Sequence, residues 1–346
     1  MQVAPYIIGS RSNHHNTDRR CGAIDAFAET NRKKTNDGPA ARAQADGQPR
    51  ASKVRKAKLS KWLVFTAFVG PAVLCFLLIQ LIPFAVGIYY SFTSWNGVSS
   101  AVDWVGLDNF KRILTNDSKF ADSFLFTAKF TVVAVLASNV IGLGLALMIN
   151  GALKSKNALR TVFFMPNVIG GLLLGFIWQF IFVKGFAAVG SATHIPFFEL
   201  PWLGDANTAF WAIVIVFAWQ QSGYLMIIYV AALQGVDNSL LEASRIDGAS
   251  RWTTMRKIVL PLIAPAFTIC LFLSMSHAFK IYDLNYSLTG GGPFNSTLSV
   301  AMNIYSEAFT NNHYGIGSAK ALIFFVVVAL VTLAQVLVSK RREVET

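Results

Sequence analysis

The stretch from Glu242 to Pro261 reads EASRIDGASRWTTMRKIVLP and lies between two long apolar runs. It is polar and basic, with four cations and two acids. Its apolar positions Ala243, Ile246, Ala249 and Trp252 recur every three residues, close enough to the helical period to line one face of a helix. The spacing therefore predicts a short amphipathic helix in the loop between these runs.

Two residues divide this stretch, Gly248 and Pro261. Glycine weakens a helix, and proline lacks the backbone N–H that would continue one. We therefore expect a short helix, a break at Gly248, a second helical turn and an end at Pro261. Such a shape at a membrane surface favours a docking element for another protein, and an ordinary polar connector is the alternative.

The residue pattern of the stretch resembles the EAA loop of binding-protein-dependent ABC importer permeases, which reads EAA-x-x-DGA-x8-I-x-LP. Ser244 is the one departure, a small residue in place of the second alanine. The resemblance implies that the loop couples the chain to a cleft in a separate ATPase subunit. The residues that would carry this coupling are Glu242, Ala243, Ser244, Asp247, Gly248, Ala249, Ile258, Leu260 and Pro261.

Composition indicates a membrane protein. Of the 346 residues, 54% are hydrophobic and 14% are charged, and the mean hydropathy is +0.48. Soluble domains carry about a quarter charged residues, so much of this surface is expected to face lipid. The three cysteines are scattered and give neither a disulfide framework nor metal-ligand spacing.

Six apolar runs are long enough to cross a bilayer, which takes about 20 residues each. They must be helices, because lipid offers no partner to free backbone groups. We therefore predict an all-α membrane domain over residues 61–346 with a cytoplasmic coupling loop at 234–261, preceded by a disordered basic cytoplasmic tail at 1–60. The runs are 62–92, 124–149, 161–183, 208–233, 262–282 and 316–339.

The basic residues set the orientation. The net charge is +12, but 23 of the 30 Lys and Arg fall in the tail, in two alternate loops and at the C-terminus. Basic residues mark the cytoplasmic side of a membrane protein, so both termini and the Glu242–Pro261 loop are predicted to be cytoplasmic. This distribution argues against a nucleic-acid partner.

Two further segments resemble the carbohydrate branch of the same family: 103–110, DWVGLDNF, and 288–297, LTGGGPFNST. The resemblance implies the type I ABC importer permease fold with six transmembrane helices, in a bacterial plasma membrane. It also implies a second homologous permease, two copies of an ABC ATPase and an extracytoplasmic solute-binding protein as partners.

No G-x-x-x-x-G-K-[ST] motif occurs in the sequence, so ATP hydrolysis is expected on a partner and not on this chain. The Gly290–Gly292 run is followed by Pro293 and is therefore interpreted as a turn. We expect no catalytic residues, no metal and no cofactor. In the third run, Gly171 and Gly175 are spaced for close helix contact.

Polar side chains within two runs mark the candidate solute site, because such groups tend to face the bundle interior or a cavity. Sugars are held by amides, hydroxyls and aromatic faces, which these runs supply. Likeness to the maltose permease implies contacts at Tyr224 and Ser274, and at four positions where the residue types differ: Gln220, Gln221, Ala278 and Ile281. Interhelical bonding is the alternative role for Gln221 and His277, and helix packing is the role predicted for Asn139 and Gln179.

Three classes of function remain to be compared. The first is the permease subunit of a sugar importer, favoured by the loop, the topology and the two outer segments. The second is an ABC permease for another solute, such as a polyamine, an anion or glycerol 3-phosphate, and the acid-poor spans disfavour a polycation. The third, a membrane-embedded enzyme, lacks a catalytic set in the spans.

Overall fold

A computed structural model describes residues 64–151 and 155–340 of the chain. The chain divides into two compact units, residues 1–76 and 77–346. Of the first unit, residues 64–76 are described, and they are helical and almost wholly exposed. The predicted tail at 1–60 lies outside the described residues.

The described chain is helical apart from loops and one isolated bridge between Thr93 and Trp104. The helices are α1 (Val64–Ser91), α2 (Asp108–Asn116), α3 (Ser118–Ile149), α4 (Lys156–Val168), α5 (Gly171–Thr193), α6 (Pro196–Glu199) and α7 (Ala206–Gln234). They continue with α8 (Asn238–Ile246), α9 (Arg251–Leu262), α10 (Ala264–Phe279), α11 (Asp283–Leu288), α12 (Val300–Tyr305) and α13 (Tyr314–Lys340). The π-helical turn Ser306–Thr310 follows α12.

Five of these helices are long and apolar enough to cross a membrane, namely α1, α3, α5, α7 and α13. A sixth crossing follows if α9 and α10, which are bent by 66° at Ile263, are taken as one span. This count agrees with the six apolar runs of the sequence and establishes the all-α membrane fold.

The third and fifth spans differ from the predicted runs. The run at 161–183 is not one helix, because the backbone is extended at Ile169 and Gly170 between α4 and α5. Pro166 lies just before this break and removes a helix donor there. The predicted run at 262–282 is also divided, because the bend at Ile263 separates Leu262 at the end of α9 from α10, which begins at Ala264.

Helix α7 forms the centre of the described bundle. It packs most extensively against α3 and also against α4, α10 and α11. Gly223 brings α7 against the α4 backbone at Phe163, and a Cβ at this glycine would clash with the Phe163 carbonyl group. By contrast, the apolar windows of α1 and α13 bury none of their residues within the chain, as expected for helices that face lipid.

The two further segments identified in the sequence, 103–110 and 288–297, are held in place by hydrogen bonds. The buried Asn109 amide donates to the carbonyls of Ser91 and Thr93 at 2.9 and 2.8 Å, which ties segment 103–110 to the end of α1. In segment 288–297, the Thr297 hydroxyl donates to the Gly292 carbonyl at 2.6 Å, and Gly290 and Gly291 have positive φ. The glycine run is therefore a turn, as predicted.

The predicted role of the third-span glycines is also confirmed. Ideal Cβ atoms on Gly171 and Gly175 would meet α11 at Leu284 and Ser287. The small residues thus let α5 and the short helix α11 approach closely, and this contact fixes the position of α11 on the bundle.

Candidate functional site

The loop between α7 and α10 is built from two helices joined by a glycine turn. Helix α8 ends at Ile246, after which the Gly248 N–H donates to the Arg245 carbonyl at 3.1 Å. The Ala249 N–H donates to the Ser244 carbonyl at 2.9 Å. These two bonds form a Schellman motif, and Gly248 has the positive φ of 73° that the motif requires. The predicted break at Gly248 is therefore confirmed.

Side-chain hydrogen bonds hold the two helices of this loop together. Ser244 is buried, and its hydroxyl lies 3.1 Å from the Thr254 hydroxyl on α9. Asp237 caps α8 by accepting from the Ser239 N–H at 2.9 Å, and this backbone hydrogen bond lowers the pKa of the Asp237 carboxyl. Ser250 caps α9 in the same way. Serine at position 244 therefore has a structural reason, because alanine would lack the bond to Thr254.

The exposed surface of the loop carries both apolar and charged side chains. Ile246 is 85% exposed and Trp252 is 71% exposed, although both are large and apolar. Glu242 and Arg245 lie beside them on α8, and within the described residues the Glu242 carboxylate has no ion pair. The apolar residues predicted to line one face thus include two that are mostly exposed in the described chain. This is the character of a docking surface.

The C-terminal part of the motif lies on α9. Ile258 and Leu260 are half-buried, and Val259 between them belongs to the core cluster around α7. The prediction that Pro261 ends the helix is wrong, because α9 continues to Leu262 and the bend falls at Ile263. Within α9, residues Met255–Val259 form a π-helical turn. Pro261 lies at the start of the short α-helical turn Leu260–Leu262 that follows it, where a missing N–H is tolerated.

Two glutamines of α7 were predicted to contact the solute. The Gln220 amide donates to the Ile169 carbonyl at 3.0 Å, so it satisfies the backbone freed by the break between α4 and α5. The Gln221 side chain is buried, and its Oε1 lies 3.1 Å from Nδ1 of His277. The Gln221 amide nitrogen is also buried, but it has no hydrogen-bond partner within the described chain. It is the polar group of this region that a ligand would satisfy.

Ser274 of α10 belongs to a buried polar network. The Asn139 amide donates to the Ser274 hydroxyl at 2.9 Å, and the Tyr229 hydroxyl donates to Asn139 Oδ1 at 2.7 Å. The packing role predicted for Asn139 is thus observed. Tyr229 was not singled out in the sequence, because a lone tyrosine in an apolar run is usual.

The remaining predicted solute residues have different surroundings. Ala278 and Ile281 are buried in the core, as Ser274 is. The three residues are four and three positions apart, so they lie on one side of the chain near the end of α10. Tyr224 is half-buried beside the core cluster that contains Tyr229. The described chain therefore brings Gln221, His277 and the Ser274 network to the α7–α10 contact.

The structure also contains a charged cluster around Lys320, which the sequence analysis did not predict. Lys320 of α13 is 1% exposed and pairs with Asp117 at 2.7 Å and Glu307 at 2.8 Å. Burial raises the pKa of Glu307, but the hydrogen bonds from Lys320 and His313 outweigh it and hold that pKa below its usual value. A lysine inside an apolar run was the signal in the sequence, since such a charge needs partners.

The fold and the loop define a membrane permease of the ABC importer class. The structure matches a subunit of the bacterial ABC transporter for import of the acidic polysaccharide alginate with a TM-score of 0.71, covering 84% of this chain and 99% of that chain at 21% identity. Residues 138–344 match the family of binding-protein-dependent transport system inner membrane components. The chain belongs to this family.

Characterised relatives share most of the chain. It is 46% identical over 292 residues to a probable starch degradation products transport permease, AmyD of Thermoanaerobacterium thermosulfurigenes, covering 84% of this chain and 99% of that protein. It is 35% identical to the multiple sugar-binding transport permease MsmF of Streptococcus mutans, covering 83% and 98%. It is 31% identical to the trehalose/maltose permease MalF of Thermococcus litoralis, covering 69% and 81%.

Proposed function

We propose that the chain is the membrane-spanning permease subunit of an ABC importer that takes up a sugar delivered by an extracytoplasmic solute-binding protein. The observation that carries this proposal is the two-helix loop at 238–262, whose exposed surface includes Ile246, Trp252 and Glu242. Family membership and the sugar-transport relatives support the same function.

ATP hydrolysis takes place on a separate subunit, and the loop docks in a cleft of that ATPase. Ile246 and Trp252 supply apolar contact, and Glu242 near the middle of α8 remains free to pair with a cation of the ATPase. Because one permease provides half of a pathway, a second homologous permease and two ATPase copies complete the assembly.

The chain lies in a bacterial plasma membrane with both termini in the cytoplasm. The cation-rich loops and the exposed apolar surfaces of α1 and α13 support this placement. The ATPase then meets the loop on the side where ATP is available.

The sugar is held by Gln220, Gln221, Tyr224, Ser274, Ala278 and Ile281. The buried and unpartnered amide nitrogen of Gln221 supports this site, because a buried donor without a partner is unfavourable until a ligand supplies an acceptor. The second permease supplies the other wall of the sugar pathway.

The test uses cells that carry the whole transporter, with the chromosomal gene for this chain deleted and restored. Uptake of labelled maltose, raffinose and diacetylchitobiose is measured with and without excess glycerol 3-phosphate. Sugar uptake that requires this chain and is unaffected by glycerol 3-phosphate supports the proposal. The proposal is overturned if excess glycerol 3-phosphate abolishes sugar uptake, or if cells without this chain take up the sugars equally well.

A Glu242→Lys variant tests the docking of the loop. It reverses the sign of one contact and leaves the spans untouched, so the ATPase should no longer co-purify while the chain remains in the membrane. A matched control is Asp103→Lys, a carboxylate in the loop before α2. Normal ATPase recovery with Glu242→Lys would show that the loop is only a connector.

A further inference from the structure

Four aromatic side chains beyond the end of α10 form a continuous row, consisting of Tyr286, Tyr282, Tyr305 and Phe309. In that order, successive ring centroids lie 5.8, 5.5 and 5.1 Å apart. The rings of Tyr286 and Tyr282 are parallel to within 4°. We call this set the aromatic row.

The aromatic row is open to its surroundings along most of its length. Tyr286 is 53% exposed, Tyr305 is 49% exposed and Phe309 is 57% exposed, although aromatic side chains usually bury their large surfaces. In the part of the chain that the structure describes, the hydroxyls of Tyr282, Tyr286 and Tyr305 have no hydrogen-bond partner. The row therefore presents apolar ring faces together with unoccupied polar groups.

The backbone beneath the aromatic row is held firmly. The fully buried Asn285 donates to the Thr297 carbonyl at 2.7 Å, which fixes α11 against the following loop. Ser299 donates to the Ile281 carbonyl at 2.9 Å, which fixes the residue before Tyr282. A rigid set of rings loses little conformational entropy when a ligand binds.

This combination suits a carbohydrate. A pyranose carries C–H groups on its ring face and hydroxyls at its edge, so it packs on an aromatic face while its hydroxyls bond to polar groups beside that face. The second ring of the aromatic row, Tyr282, also directly follows Ile281 of the candidate sugar site. Phe309 also contacts Tyr314, so the far end of the aromatic row joins a cluster with Tyr90 and Trp95. The rings therefore form one connected surface, whereas the residues of a general interfacial belt are distributed around the bundle.

We propose that the aromatic row is a subsite for oligosaccharides, which receives a sugar chain released by the solute-binding protein and leads it to the end of α10. The proposal rests on the proposed function as a sugar permease. Because the binding protein captures the sugar first, the row acts after delivery, and it affects the maximal uptake rate more than the half-saturating concentration. Longer sugars cover more rings and depend on the row more strongly.

The test measures maximal uptake rates in cells that carry the whole transporter, with each variant at the chromosomal locus. Three labelled pairs of short and long sugars are offered: maltose and maltotetraose, raffinose and stachyose, and chitobiose and chitotetraose in N-acetylated form. The pair that wild-type cells take up best is then used. The variants are Tyr305→Leu and Tyr286→Leu, with Tyr→Phe at each position to keep the ring and Phe325→Leu on α13 as an exposed aromatic outside the row.

The expected result is that each leucine variant lowers the rate for the longer sugar about fivefold, equivalent to the loss of one aromatic contact. The shorter sugar should lose less than about twofold, and Phe325→Leu should stay near wild type. Each phenylalanine variant keeps the ring and loses only the hydroxyl, so its rate for the longer sugar should lie between those of the leucine variant and wild type. Equal losses for the two sugars, unchanged rates, or loss of either leucine variant from the membrane or from its partner subunits would overturn the proposal. Wild-type cells that take up no sugar of the panel would instead overturn the proposed function, and the row with it.

Discussion

The ammonium of Lys320 lies 2.8 Å from Oε2 of Glu307, and the lysine side chain is buried although it belongs to the largely apolar helix α13. Asp117 at the start of α3 pairs with the same ammonium, and Asn303 accepts from it at 3.0 Å. One lysine thereby joins α3, α12 with its π-helical turn, and α13.

Replacement of Lys320 by methionine should destabilise the chain. The change leaves Glu307 and Asp117 without their shared cation, and breaking a buried pair costs about 3 kcal/mol. We expect the melting temperature in detergent to fall by about 5–10 °C. Lys129→Met is the matched control, because Lys129 is exposed and only lies over the Phe210 ring. Equal melting temperatures for the two variants would contradict the structural role of Lys320.

The Glu307 carboxyl should make stability depend on pH. Its pKa is lowered in the folded chain because the hydrogen bonds from Lys320 and His313 outweigh burial, so its contribution is present above the unfolded pKa of about 4.3. That contribution is lost as the pH falls through the lower folded pKa. The difference in melting temperature between wild type and Glu307→Gln should therefore shrink towards acid pH. Glu199→Gln, at an exposed pair with His194, serves as the control, and a difference that grew on acidification would contradict the assignment.

Gly248 should accept asparagine and reject valine. Nothing lies within 4 Å of an added Cβ, so only the backbone, at a φ of 73°, limits the substitution. Asparagine tolerates this region, whereas a β-branched residue there costs about 1–2 kcal/mol or more. We expect Gly248→Val to lose both ATPase co-purification and sugar uptake, and Gly248→Asn to keep most of each. Equal behaviour of the two variants would show that the turn is unimportant.

The crossing of α7 and α4 should depend on Gly223. Alanine at this position forces its Cβ onto the Phe163 carbonyl, and such overpacking costs about 1–3 kcal/mol. Gly144→Ala on α3 meets nothing within 4 Å, so it should be neutral or slightly stabilising. Thermal unfolding of the two variants separates close packing from helix propensity. A Gly223→Ala variant as stable as Gly144→Ala would contradict the close approach.

Gln221→Leu should reduce sugar uptake without loss of the protein from the membrane. A lost hydrogen bond to a desolvated ligand is worth about 1–3 kcal/mol, or roughly ten- to a hundredfold. Its buried amide nitrogen makes no bond in the described chain, but the leucine variant also removes the contact between Gln221 Oε1 and His277 Nδ1, so the amount of protein in the membrane is measured beside uptake. Asn139→Leu is the contrasting change, because it removes the bonds to Ser274 and Tyr229 and should lower stability. Normal uptake in Gln221→Leu would place the sugar elsewhere.

The fold could be predicted because its main signals are local in the sequence. Apolar runs of sufficient length must be helices in lipid, and the glycine in the Glu242–Pro261 loop needs a backbone conformation that L-residues rarely adopt. The break at Ile169 and the bend at Ile263 were missed, although Pro166 precedes the first and Pro261 and Pro265 flank the second, because a proline alone does not fix where a span is divided. Their positions depend on tertiary contacts, such as the Gln220 amide that satisfies the Ile169 carbonyl.

The candidate site could be predicted only in part. The Schellman turn at Gly248 follows from the local motif, and the bond between Ser244 and Thr254 joins residues only ten apart in the chain. The Asn139 network joins residues 135 positions apart, so no spacing in the sequence indicates it. The roles of Gln221, Tyr224 and Ser274 in binding a sugar stay predictions, because the bonds within one chain do not define what a ligand contacts.

The bend at Ile263 has a mechanical consequence. Helix α9 carries the end of the proposed docking loop, α10 carries Ser274 of the proposed sugar site, and the buried Ile263 is the one residue between the two helices. The two helices cannot slide independently, because the chain between them is too short to absorb a displacement. If the loop docks as proposed, a displacement of α9 would therefore be passed to α10 through Ile263.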